Sequence, residues 1–149
     1  MSLADQTIIT AWTTAMAKIK VADGYHTTVK TVTAFEPRPD GPGHLPAIEV
    51  RDVSEEITGT SAGSDEGGAD AAVETHLMNL EVMVTMNSTV AALREFIQDV
   101  RKCVRDNLTR TYDIRYRGHE KVVEQDELRV VGAIMRFDVT YRTALLGEE

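Results

Sequence analysis

The stretch from Glu74 to Leu108 constrains the fold more than any other part of the chain. Its first third alternates. Met78, Leu80, Val82, Val84 and Met86 fall on one side, and His76, Asn79, Glu81 and Thr85 fall mostly on the other. A period of two over this length predicts a half-buried β-strand. Asn87, Ser88 and Thr89 then break the alternation with short polar side chains suited to cap a helix. Beyond them Leu93, Phe96, Ile97, Val100, Cys103, Val104 and Leu108 recur at spacings of three and four. Arg94, Glu95, Asp99, Arg101, Lys102 and Arg105 occupy the rest of the helical circumference. A strand with an apolar face therefore feeds a helix with an apolar stripe, and the economical arrangement lays one on the other.

The flanking sequence supplies more elements. Residues 3 to 20 read as a second amphipathic helix, with Ile8, Trp12, Ala15, Met16 and Ile19 on one face, closed by a left-handed turn at Asp23-Gly24. Thr27 to Phe35 is rich in Thr and Val and reads as a strand. Glu36 to Gly43 holds three prolines and is expected to be a stiff surface loop. Leu45 to Val53 reads as a strand that Ser54 to Ile57 can extend. Gly59 to Asp70 is a Gly/Ser/acid tract with no large apolar residue. It is expected to be a flexible hairpin tip carrying Ser64, Asp65, Glu66 and Asp70. Tyr112 to Tyr116 predicts a short strand, Gly118 to Asp126 a charged loop, Leu128 to Thr143 a long alternating strand, and Leu145 to Glu149 a frayed tail. Neighbouring strands with short links are expected to pair antiparallel. The expected class is α+β: one domain spanning residues 1–149, a mostly antiparallel sheet, and two amphipathic helices on one face.

With 149 residues and a net charge of −8, the chain is large enough for a real core and is not built to hold DNA or RNA by its phosphates. Its one cysteine, Cys103, excludes an intrachain disulfide and a multi-cysteine zinc site. It fits a reducing cytoplasm, and its place on the apolar stripe predicts an inert core thiol. The N-terminal residues have no signal pattern, and no apolar run is long enough to span a bilayer. His26, His44, His76 and His119 are scattered without metal-ligand spacing and read as surface or turn residues. Asp65, Glu66 and Asp70 lack the ligand spacing of a calcium loop. No phosphate loop, nucleophile elbow or dinucleotide fingerprint occurs, so no catalytic, cofactor or metal residue is nominated.

Two surfaces stand out as possible contacts. Arg94, Arg101, Lys102, Arg105 and Arg110, interleaved with Glu95, Asp99 and Asp106, form either a salt-bridged solvent face or one that meets an acidic partner. On the sheet face away from the helices, Leu77, Met83, Val130 and Ile134 suggest a subunit interface, with Arg136 and Asp138 beside them for a neighbour to pair.

Three stretches resemble the tail terminator, or tail completion, proteins of long-tailed bacteriophages. The opening helix runs into IKVADGY at Ile19 to Tyr25 and then Thr27-Thr28-Val29, similar to the family's I-x-x-A-N/D-G-Y-x-T start. Leu45 to Val50 reads LPAIEV, similar to its L-P-A-hydrophobic-x-V strand, and the closing strand ends FDVTYR at Phe137 to Arg142. The long Gly59–Asp70 tract departs from the shortest family members.

The resemblance implies a structural virion protein without a cofactor. It would cap the finished tail tube, end its polymerisation and present the joining surface for the head. It implies a homo-oligomeric, hexameric ring with a DNA channel, at the head-proximal end of the tail and in the host cytoplasm during assembly. The partners would be further copies, the major tail tube protein and head–tail connector proteins, with no sequence-specific nucleic acid and no membrane. A neck or head–tail joining protein of the same particle is the alternative, followed by a small α+β ligand-binding domain or enzyme.

Overall fold

The computed structural model describes residues 4–36, 42–61, 73–124 and 130–144. In chain order the elements are helix α1 (Ala4–Met16), strands β1 (Thr31–Ala34), β2 (Ala47–Ser61) and β3 (Val73–Met86), helix α2 (Val90–Asn107), and strands β4 (Asp113–Glu124) and β5 (Val130–Ala144). One five-stranded sheet results, in the order β1-β2-β3-β5-β4. Both helices pack on one of its faces, which makes this an α+β fold with a mostly antiparallel sheet.

The core is the meeting of the patterns read above. Ile48 and Val50 of β2, Met78 to Met86 at every second position of β3, and Val131 to Val139 at every second position of β5 turn to the helices and are buried. Against them lie Ile8, Trp12 and Met16 of α1 and Leu93, Phe96, Val100 and Cys103 of α2. Trp12 sits edge-on to Phe137 with ring centroids 5.0 Å apart, tying α1 to the middle of β5. Of the three candidates Asn87, Ser88 and Thr89, it is Thr89 that caps α2, its hydroxyl accepting from the Ala92 N–H at 3.1 Å.

Several elements differ from their sequence reading. Helix α1 ends at Met16 and not near residue 20: the N–H groups of Lys18 and Ile19 reach back three residues, to Ala15 and Met16, and tighten the chain. Ile19 nevertheless remains buried. Gly24, at φ 93°, makes the left-handed turn that returns the chain toward the sheet. Only Thr31–Ala34 of the predicted Thr27–Phe35 strand forms, and it runs parallel to β2, not antiparallel. The physical reason is the link. Residues 35 to 46 separate the two strands, and a parallel neighbour needs a connection of about a dozen residues. The part of this link at 37–41 lies outside the described residues, as do 62–72, with Ser64, Asp65, Glu66 and Asp70, and the tail 145–149.

Strand β2 continues through Gly59 and Thr60 to Ser61, which the sequence reading assigned to a loop. The larger correction is β4. It covers Asp113 to Glu124 and so includes Gly118 to Glu124, expected to be loop. Charges on alternating positions obscured it, because an edge strand with solvent on one side has no need of a clean apolar stripe. Gly118, at φ 113°, sits where the β4–β5 register shifts by one residue beside Arg117, a bulge that breaks the period of two.

Candidate functional site

The sheet face away from the helices was the surface singled out in the sequence. Its residues do lie on one face, but the structure brings only some of them together. Met83 stands directly opposite Ile134, with Val130 further along β5 past Gly132. Leu77 is at the other end of the sheet, opposite Thr140, with Asn79 and Glu81 between it and Met83. All four apolar side chains are half-buried.

A ladder of charges separates them. Glu81 of β3 accepts from Arg51 of β2 at 3.1 Å and pairs with Arg136 of β5 at 3.5 Å. Arg136 also reaches Glu120 of β4 at 3.7 Å, so the network crosses four adjacent strands. Asp138 pairs with Arg117 at 3.5 Å. Arg136 and Asp138, expected to await a neighbour, each have partners within the chain. Pairs of this kind contribute about 0–1 kcal/mol each. Their larger effect is to orient the side chains of the face and to keep it from being one continuous apolar patch.

The other feature is a groove of about 500 Å³ between α2 and β4, lined among others by Gln98, Asp99, Arg101, Arg105, Ile114 and Tyr116. Sequence reasoning put Asp99 on the polar side of α2. It is in fact 2% exposed. Its carboxylate accepts from the backbone N–H of His26 at 3.0 and 3.1 Å and from His26 Nδ1 at 3.0 Å. This latch fastens the segment after α1 to the middle of α2. Lys102 adds to it, donating to the Gly24 carbonyl at 3.3 Å and lying 4.9 Å over the Tyr25 ring. Arg101 lies 4.4 Å over the Tyr116 ring, and Arg105 pairs with its neighbour Asp106. The basic side chains of α2 are thus partly a seam to the rest of the chain and only partly a solvent face.

The groove's chemistry is that of a satisfied surface. Tyr116 is held 2.6 Å from His119 Nδ1. Burial pushes the tyrosine up, with Arg101 pulling the other way, while burial and then Lys121 and Arg101 push His119 down. Both shifts favour the neutral form of the group at neutral pH, so the phenol is not activated as a nucleophile. Burial followed by the nearby Cys103 thiol pushes Tyr25 up to about 12. Among the described residues no group of three metal-ligating side chains converges.

Cys103 behaves as its stripe position suggests. It is fully buried, its thiol donates to the Ala15 carbonyl at 3.1 Å, and burial raises its pKa. The native protein is therefore expected to resist a thiol reagent such as DTNB at pH 8, labelling only as fast as the structure opens, while protein unfolded in urea labels fully within minutes. Prompt native labelling would place the thiol at the surface.

His76 departs from its reading as a surface residue. It shares the helix side of the sheet with Met78, not the opposite side, and its side chain is 14% exposed. Its ring stacks on Tyr141 at 4.8 Å, and Nε2 lies 2.9 Å from the Thr143 hydroxyl and 3.5 Å from Glu74. The signal available in the sequence was its even spacing from Met78, which places it one alternation beyond the core.

Compared with protein-family models and with curated proteins, the chain finds no match in either.

Proposed function

We propose that this chain is a structural subunit of a phage tail, a terminator that assembles as a ring on the end of the tail tube, stops its growth and offers the surface to which the head joins. The observation that carries the reading is where the family-like stretches meet. Ile19 is buried, the left-handed turn at Gly24 follows it, and its carbonyl accepts from the Val29 N–H at 3.0 Å. Lys30 donates to the Pro46 carbonyl at 2.8 Å, joining that first stretch to the second. Phe137, the start of the third, packs against Trp12 of α1. The three stretches therefore meet in the fold through Ile19, Val29 and Phe137 and through backbone hydrogen bonds, while Lys20 to Gly24 of the first lie exposed.

The reading gives the chain no catalytic role. Its partners are further copies of itself, the tail tube protein and the head connector. A net charge of −8 suits a ring that lets DNA pass without gripping it. The test is to add the purified protein to polymerising cognate tail tube and image the products by negative stain. Rings seated on tube ends, with shortened tubes, are expected. Tubes that grow to the same length with or without the protein would overturn the proposal. Binding to the head connector alone would assign the chain to the neck.

A further inference from the structure

We infer that the sheet continues from one copy of this chain to the next, with β4 of one copy pairing against the free edge of β2 in its neighbour. This deepens the ring reading and rests on it only for closure of the assembly. The starting point is an imbalance at the sheet's edges. Strand β1 covers β2 only from Ala47 to Val50, so from Arg51 to Ser61 the outer edge of β2 has no partner among the described residues. At the other end of the sheet β4, Asp113 to Glu124, has an edge of comparable length without a partner strand among the described residues. Long unpaired edges are templates for another strand.

The side chains there point the same way. Of the five exposed large apolar residues among the described residues, three sit on these two edges: Val53 at 56%, Ile57 at 55% and Val122 at 46%. The charges are complementary. Asp52 and Glu56 on β2, and Arg115 and Lys121 on β4, form no ion pair with any described residue. Glu56 and Arg115 lie on the open face, opposite Leu77 and Asp138, while Asp52 and Lys121 lie on the helix side, opposite Leu80 and Ala133. Opposite signs therefore share both faces of a continued sheet: with Lys121 opposite Asp52, Arg115 lies diagonally from Glu56, within reach of its long side chain. Asp113 and Glu124 stand at the two ends of β4, away from its cationic middle.

Strand direction fits as well. Strands β2 and β3, β3 and β5, and β5 and β4 are each antiparallel, so β4 runs opposite to β2. Rotation about a ring axis preserves direction along that axis, so β4 and the neighbour's β2 meet antiparallel, and β4 takes up the line that β1 leaves at Val50. The contact joins two different surfaces, as a ring requires.

A charge swap tests this on the full chain. Arg115→Glu alone, or Glu56→Lys alone, puts like charges at the junction and is expected to raise the concentration at which half the chains assemble by about tenfold or more. The two together in one chain restore opposite signs and are expected to recover assembly. Circular dichroism verifies that each variant is folded. Hydrogen exchange on the unaltered protein gives a readout that needs no substitution: Arg51–Ser61 and Asp113–Glu124 are expected to gain protection on assembly. Rings that form with both edges still exchanging, or that ignore the single swaps, overturn the edge pairing and leave the ring reading standing. Edge-protected open filaments uphold the pairing and overturn ring closure. Protection that appears only with tail tube, and without self-assembly, gives the edges to the tube protein and overturns the pairing between copies. A chain that never assembles, with or without tube, overturns both.

Discussion

Trp12→Ala is expected to destabilise the protein by about 3–5 kcal/mol, the range for removing a large aromatic side chain from a packed core. Trp12 is fully buried, and it is the contact through which α1 grips β5, edge-on to Phe137. Its indole N–H has no hydrogen-bond partner among the described residues. Trp12→Phe therefore removes a desolvated donor along with some volume, and is expected to cost less, about 1–2 kcal/mol. Urea denaturation followed by circular dichroism measures both. The unaltered protein supplies a third observation: its single tryptophan should emit in the blue-shifted range of an apolar site. Equal costs for the two substitutions would mean that ring contacts, and not volume, dominate. Solvent-like emission would remove Trp12 from the core altogether.

Asp99→Ala is expected to cost about 3 kcal/mol. A buried carboxylate that shares one backbone N–H between its two oxygens and also accepts from a ring N–H carries charge-assisted hydrogen bonds, each worth about 1.5–3 kcal/mol, which are not additive. Its loss leaves the His26 N–H without its acceptor. Asp99→Asn keeps one oxygen in place and is expected to lose roughly half as much. His26→Ala leaves the backbone contacts intact and removes only a ring that is largely exposed, so about 1 kcal/mol or less is expected. A loss of stability that falls from Asp99→Ala to Asp99→Asn to His26→Ala, read from denaturation midpoints, is the signature of a carboxylate that serves the backbone. If His26→Ala costs as much as Asp99→Ala, the ring and not the N–H is the partner that matters.

The same two residues mark how far the chain could be read without its structure. Trp12 was legible because it shares a helical face with Ile8, Ala15 and Met16, and a face with that spacing has to be buried somewhere. Asp99 was not. It stands among Arg94, Glu95, Arg101 and Lys102, and charged residues on a helix are ordinarily solvated. Only the return of the chain through Gly24 and Tyr25 puts the His26 N–H over it. That partner is 73 residues away in sequence, and no local pattern announces it.

The candidate surfaces divide in a similar way. The alternation of β3 and β5 was enough to place Leu77, Met83, Ile134, Arg136 and Asp138 on one face. It could not say that Arg51 and Glu81 would cut that face in two, because the cross-strand register depends on where β2 and β3 turn and where β2 bulges. Strand β4 was read only in its first residues, as a short strand at Tyr112 to Tyr116, for a related reason. An edge strand buries little, so its residues carry little periodicity, and only its pairing with β5 makes it a strand.

By itself the sequence determined the two helices, the long alternating strands, a polar cap within Asn87 to Thr89, the buried thiol at Cys103 and the α+β class. Each follows from a period or a local bond within a few residues. The tertiary structure alone decided that β1 runs parallel, that β4 and the part of β2 beyond Val50 have an edge without a partner strand among the described residues, and that Asp99 and Arg136 are satisfied within the chain. Those outcomes depend on which segments lie side by side, and hydrophobic periodicity states what each segment must bury but not what it will meet.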